Sequence, residues 1–397
     1  MSIKIELSRF RNFSFGDILT SIVMYVVSYL LNSNLSDSEL GAYSYYNNIL
    51  LMTYPIVSLN IYESYLRFID KYALQKKVKI ISFISFLVMF AGTYLIWNDI
   101  RISMLSCIIL FQERIYYLRS LVKILWFNLF KVLHAILTLT LVFYFLYEDG
   151  LIYQNVILSY GLSYLLVYLI ILIFNRYKIR YNTEQKESIS LNKVLKYTIP
   201  IIGSSLMIWT LNVSDLYIIE YYFSFKEVGQ YSIANRVINL IRVVNSMFLL
   251  YWPIMYFRAM DEEDYTKITK IRFGYILILV AITTLIILLR EYIYIAMGAG
   301  KYLEYIYYFI VLMIAELFRV VAGIFLIFRS YTVQTYYNLY LLLVITLLNV
   351  ILNLYYIPKL GVVFAAYSTL LSTTAYLILS YIFSYLPELK VRTKIDE

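Results

Sequence analysis

The sequence predicts an all-α, polytopic integral membrane protein, with about twelve transmembrane helices in two pseudo-symmetric lobes of six. Three observations carry that expectation. The 397 residues are 62% hydrophobic and 15% charged, whereas soluble domains are about half apolar and a quarter charged. The apolar residues run on without interruption for roughly the 20 residues that cross a bilayer as helix, with none of the alternation of a membrane β-barrel. A six-residue signature also occurs twice, as Glu39-Leu40-Gly41-Ala42-Tyr43-Ser44 and Glu227-Val228-Gly229-Gln230-Tyr231-Ser232, with Asn47 and Asn235 at equivalent positions beyond it. Each copy follows an apolar, helix-length segment, so each is expected in the turn between the first two helices of a duplicated half.

In the first half the expected helices are 15–34, 43–68, 80–97, 100–121, 124–147 and 153–174. Segment 15–34 follows basic residues (Lys4, Arg9, Arg11) with no small-residue cleavage site, so it is expected to stay in the mature protein. Segments 80–97 and 153–174 are continuously apolar, and 100–121 and 124–147 are apolar but carry charges. In the second half the expected helices are 198–220, 231–256, 273–289, 305–328, 336–356 and 362–386. The expected organisation is an N-terminal lobe (1–175), a polar linker (176–197), a C-terminal lobe (198–386) and a tail (387–397). Five prolines and twelve glycines are few for this length, which suits long helices.

The net charge of +9 does not point to nucleic acid, because the basic residues are spread over short loops rather than gathered in a patch. With the N-terminus placed in the cytoplasm, about 24 of the 34 Lys and Arg fall on the cytoplasmic side, densest in 67–79, 176–196 and 258–272. The opposite loops are short and carry Asp37, Glu39, Glu148 and Asp149. Both termini are therefore expected inside, and the halves are expected to be parallel repeats. The single cysteine, Cys107, excludes an intramolecular disulfide and a multi-cysteine metal cluster.

No enzyme motif is complete. Gly298-Ala299-Gly300-Lys301 resembles part of a phosphate loop, but the upstream Gly is missing and Tyr302 replaces the Ser or Thr that would bind magnesium. His134 has no ligand cluster near it in sequence, so no metal is expected. The informative residues are ionisable groups inside spans, where each costs at least about 2.5 kcal/mol at the bilayer centre. They are Glu113, Arg114, Lys131, Asp215, Arg236, Arg242, Glu316 and Arg319, with Glu63 near a helix end. Asn235, Asn239, Arg242 and Ser246 recur at helical spacing, as do Thr346, Asn349 and Asn353. Such stripes either line a polar cavity or bond neighbouring helices; for Arg242 the cavity reading is favoured, since a guanidinium needs an anion or water. Glu316 with Arg319, three apart, and Glu63 with Arg67, four apart, can each neutralise one another or serve function. Asp215 has no basic residue one turn away, which suits a proton-binding or counter-charge role. Tyrosines, 45 in all, would mostly anchor the membrane interface, and some could stack on sugars.

The run 347–353, Leu-Leu-Asn-Val-Ile-Leu-Asn, followed by Ile357-Pro358-Lys359-Leu360-Gly361-Val362-Val363-Phe364-Ala365-Ala366, resembles a signature of polysaccharide flippases. The Leu40-Gly41-x-Tyr43-Ser44 segment, then Pro55 and Leu66-Arg67-Phe68, is similar to their first hairpin. The chain thus resembles, over its whole length, the Wzx-type flippases of O-antigen and capsule repeat units, in the superfamily that includes MATE exporters and MurJ-like lipid flippases. Phe364 departs from the usual Gly before the Ala pair and is expected to loosen packing there, and the chain lacks the extra helices general in MurJ-like proteins.

The resemblance implies a bacterial inner-membrane flippase. Its cargo would be undecaprenyl-diphosphate-linked oligosaccharide, translocated by alternating access among membrane lipids and coupled to H+ or Na+, with no other cofactor and no enzymatic reaction. Polysaccharide polymerase and chain-length proteins would be its partners. Arg242, Arg319, Arg236, Lys131 and Arg114 would then attract the diphosphate. Glu63, Glu113, Asp215 and Glu316 would bind coupling protons or balance charge, and Asn235, Asn239, Asn349 and Asn353 would line the cavity. Two rival readings are a cation-coupled MATE-like drug exporter, which would favour an excess of acids, and a membrane polysaccharide polymerase or ligase, which usually has a sizeable outer loop.

Overall fold

The computed structural model describes residues 3–69, 73–121, 123–148, 150–178, 189–332, 334 and 336–393, and every regular element among them is helical. The chain forms two compact units, Met1–Leu206 and Met207–Glu397. Nine helical stretches among the described residues are long and apolar enough to cross a membrane, which makes this a multi-pass membrane protein. The twelve expected spans are thus not all recovered on length and apolarity. Those that fall short, around 37–57, 100–120 and 225–261, are rich in polar or charged side chains.

Unit 1 runs through α1 (Ile3–Asn34), α2 (Asp37–Val57), a 3₁₀ turn (Ile61–Glu63), α3 (Ser64–Phe68), α4 (Gln75–Trp97) and α5 (Ile100–Ser103). A second 3₁₀ turn (Met104–Cys107) leads to α6 (Ile108–Ser120), α7 (Ile124–Glu148), α8 (Tyr153–Lys178) and the first part of α9 (Leu191–Tyr222). The helix expected over 43–68 is broken. Pro55 supplies no N–H to the helical ladder, the chain leaves the helix after Val57, and Leu59 and Asn60 take positive φ before helix resumes. The helix expected over 100–121 is likewise interrupted, and α8 explains the arrangement. At Gly161 a side chain would come within 2.5 Å of the Met104 backbone, so α8 seats directly on the second 3₁₀ turn. The other main seams of the unit are α1 along α7 and α7 along α8.

Unit 2 holds the rest of α9, then α10 (Phe225–Asp261), α11 (Tyr265–Leu288), α12 (Arg290–Ala296) and a 3₁₀ segment (Gly300–Tyr305). There follow α13 (Ile306–Phe325), α14 (Ile327–Tyr331), α15 (Tyr336–Leu360), α16 (Val363–Ser380), a π turn (Tyr381–Tyr385) and α17 (Leu386–Thr393). The centre of the unit is α16, which packs on both α13 and α15. Its buried residues include Ala365, Ala366, Ser368, Ser372, Thr373 and Ser380. Small side chains let helix backbones approach where hydrophobic drive between lipid-solvated helices is weak. Phe364 lies against Tyr356, with ring centroids 4.6 Å apart and the rings tilted by 36°.

The duplicated signature is not a turn but the opening of a helix in each unit. Ser36 caps α2 by accepting from the Glu39 N–H, and Ser224 caps α10 by accepting from the Lys226 N–H, with its hydroxyl also on Glu227. Ser-x-x-Glu is the capping-box pattern, and Glu39 and Glu227 lie in the first turn, where the helix dipole favours a negative charge. Two further expectations need revision. Arg272 does not lie in a solvated cytoplasmic loop, because α11 begins at Tyr265 and buries it completely. Residues 387–393 of the expected tail belong to α17, and the described ends of the expected linker fall largely in α8 and α9, while 394–397 and 179–188 lie outside the described residues.

Candidate functional site

The densest gathering of the polar residues singled out above is in unit 2, where α9, α10, α13 and α16 surround a cavity of about 20 Å³. The spacing on α10 sets Asn235 and Arg242 along it, and α13 supplies Glu316 and Arg319. Asn212 and Asp215 from α9 and Thr369 and Thr373 from α16 complete its polar lining.

Glu316 is the hub. Its carboxylate accepts from the Arg319 Nε at 2.9 Å and from the Arg319 Nη2, and lies 3.3 Å from the Arg242 Nε and 3.4 Å from its Nη2. Arg242 also donates to Asn239 at 3.2 Å and to Asn212 at 3.4 Å. The Glu316 side chain is 4% exposed, but that of Arg242 is 30% exposed. A guanidinium open to one side among packed helices demands water or an anion there. Asp215 is held from elsewhere: the Tyr231 hydroxyl donates to it at 2.6 Å and the Leu216 N–H at 2.9 Å. Two cations and two carboxylic groups therefore share one small polar space.

Other residues expected at a site lie apart from this cavity. Arg236 is half-buried on α10. Asn349 and Asn353 are fully buried and serve as interhelical ties: Ser214 of α9 donates to Asn349, which donates to Thr369 of α16, while Asn353 donates to Asn349 and accepts from Ser368. In unit 1, Glu113 and Arg114 form a pair at 3.0 Å, each side chain 3% exposed, and Tyr65 donates to Glu113 at 2.6 Å. Arg114 also lies over the Tyr168 ring. Lys131 pairs with Asp17 of α1, and Glu63 accepts from Tyr116 at 2.8 Å while Arg67 is exposed. Outside the spans, Asp99 caps α5 and pairs with Arg101 at 2.9 Å. Burial alone would raise that carboxyl, but the bonds from the Arg101 side chain and backbone outweigh it and leave its pKa below the ordinary value.

Sequence reasoning missed Tyr231, although it lies inside the duplicated signature, and Asn212. It also missed the ion pair of Arg272 with Glu388 of α17, 2.7 Å long and fully buried. The guanidinium lies 5.0–5.9 Å from the ring centroids of Tyr385, Tyr256, Phe325 and Trp252. The aromatic density of 248–256 and 381–385 was the available signal, since cationic side chains settle over such rings.

No family model and no curated protein matches the sequence. Solved structures do match the fold. An inward-facing multidrug-resistance MATE family transporter of the MOP superfamily superposes with a TM-score of 0.73 at 13% identity, over 95% of each chain. The lipid II flippase MurJ, in an inward closed conformation, gives 0.69 at 13% identity over 93% of this chain and 86% of that one. The chain has the fold of the MATE transporters and of MurJ. A third neighbour with this MATE-like fold, a MOP superfamily transporter from Pyrococcus furiosus described as having a binding pocket of reverse polarity, gives 0.61 at 14% identity over 96% and 95%.

Proposed function

We propose that this protein is a flippase that carries an anionic, lipid-linked oligosaccharide across the bacterial inner membrane for O-antigen or capsule assembly. The observation that carries the reading is Arg242, a partly exposed guanidinium on α10 that lines the unit 2 cavity, beside Arg319 on a buried glutamate. Arg presents a planar fork that matches a diphosphate, and in a low-dielectric cavity such bonds are among the strongest available. The polyprenyl tail would remain in lipid while the diphosphate and sugars pass through the protein. The MATE and MurJ fold supports transport of amphipathic cargo, and the resemblance of 347–366 to polysaccharide flippases supports this cargo class. Asp215, with Tyr231 as its donor, is the proposed site of a coupling H+ or Na+. Both termini are proposed to be cytoplasmic, with lobes 1–175 and 198–386, and polymerase and chain-length proteins are the proposed partners.

The experiment is the sidedness of lipid-linked repeat units in cells depleted of the protein. Accumulation on the cytoplasmic leaflet, with loss of surface polysaccharide, is the expected result. Unchanged lipid-linked pools would favour the drug-exporter reading, and accumulation of single units on the outer leaflet would favour a polymerase.

A further inference from the structure

The cavity of unit 2 is too small for the anion it is read as serving. Its volume of about 20 Å³ is room for about one water molecule, and its most exposed cation already has a carboxylate beside it. That carboxylate, Glu316, is shared unequally. Arg319, three residues along the same helix, engages both of its oxygens, at 2.9 Å through Nε and more closely still through Nη2. Arg242 reaches it from another helix at 3.3 and 3.4 Å, and its buried Nε is not aligned for a hydrogen bond. The remaining bonds of Arg242, to Asn239 and Asn212, are also long, at 3.2 and 3.4 Å. The more weakly held Arg242 is 30% exposed against 24% for Arg319, so geometry rather than exposure separates the two cations, and the carboxylate between them is buried.

We propose that Glu316 is an internal ligand occupying the place of the cargo's phosphate oxygens, so that an arriving phosphate takes Arg242 while Glu316 remains with Arg319. The proposal rests on the anionic-cargo reading above. Carboxylate and phosphate offer a guanidinium the same two-oxygen edge, so one can replace the other without Arg242 ever being left bare. The net affinity is then the difference between two similar interactions, and cargo bound this way can also be let go. Asp215 does not compete in the same way, because Tyr231 and the Leu216 N–H already hold its two oxygens.

The test uses purified full-length protein in detergent and equilibrium dialysis of labelled inorganic pyrophosphate at fixed salt. Glu316→Gln should bind roughly tenfold more tightly than wild type, the worth of one competing charge-assisted bond. Glu316→Asp keeps the charge beside Arg319 but draws back from Arg242, and should bind roughly threefold more tightly. It separates displacement from a general gain of positive charge and decides the matter if Glu316→Gln does not fold. Arg242→Gln should lose binding. Pyrophosphate bound only by the Glu316 variants would support the proposal, since the wild-type site would then be masked. If wild type binds, Arg242→Gln does not, and the Glu316 variants bind no better than wild type, the internal ligand is overturned while the anion reading stands. Binding by none of these proteins would overturn both.

Discussion

Each unit contains a tyrosine hydroxyl 2.6 Å from a buried carboxylic group, Tyr65 on Glu113 in one and Tyr231 on Asp215 in the other. The surroundings differ. Glu113 has its cation as its immediate neighbour, and that pair is closed off, each side chain 3% exposed. In unit 2 the cations come from α10 and α13, they share Glu316 rather than belonging to Asp215, and Arg242 stays 30% exposed beside a cavity. The same polar contact thus serves two ends. Where the cation is local and sealed, the group completes itself and can do little beyond holding helices in place. Where the cation is remote, loosely held and open, it has capacity for another ligand.

That contrast is tested most severely by removing one cation from each cluster. Arg114→Ala leaves Glu113 buried without its partner and is expected to cost about 3–5 kcal/mol, read as loss of monodisperse protein by fluorescence-detected size exclusion. Wild-type yield would show that the pair is not sealed after all. Arg242→Gln should leave yield and melting temperature nearly unchanged but reduce surface polysaccharide at least about tenfold, as expected for losing a charge-assisted bond to cargo. Full polysaccharide on immunoblots of that variant would remove Arg242 from the site. Arg319 is a poorer probe, because its loss also strips Glu316 of its closest partner.

Smaller changes sharpen the same comparison. Tyr65→Phe and Tyr231→Phe each delete a donor to a buried carboxylic group, a loss of about 1–3 kcal/mol. The first should be the more damaging in thermal unfolding, since water in the unit 2 cavity can replace the second hydroxyl; equal losses would argue that the cavity stays dry. As a reference outside both clusters, Asp99→Ala should cost about 1 kcal/mol by removing the α5 cap. Because the folded pKa of Asp99 is depressed, its contribution is fully present above the unfolded value near 3.9. It fades as pH falls through the lower folded value. The difference in stability between wild type and variant should therefore shrink in acid.

The helical membrane fold was legible because apolar runs of span length have few other uses. Glu316 with Arg319 was legible too, since residues three apart share a helix face. Asn349 and Asn353 were visible as polar, but an amide satisfied by a neighbouring helix reads in sequence like one that lines a cavity. The tie of Tyr231 to Asp215 crosses helices and lay hidden inside a repeat read as a turn. The break after Pro55 went unread because α10 continues through Pro253, so a proline alone does not fix where a helix stops. Arg272, counted from its neighbours as a loop charge, has its partner 116 residues away, beyond any local pattern.

That last separation bears on how the protein is made. Arg272 leaves the ribosome 116 residues before Glu388, and at roughly 5–20 residues per second the wait is on the order of ten seconds. During that time the carboxylate it pairs with in the finished protein is not yet made, and two of its aromatic neighbours, Phe325 and Tyr385, also arrive after it. The surroundings of Arg272 in unit 2 are therefore completed only after α17 has been translated. A nascent chain stalled short of residue 388 lacks the carboxylate with which the finished one seals Arg272, and this chemical difference separates incomplete copies from complete ones.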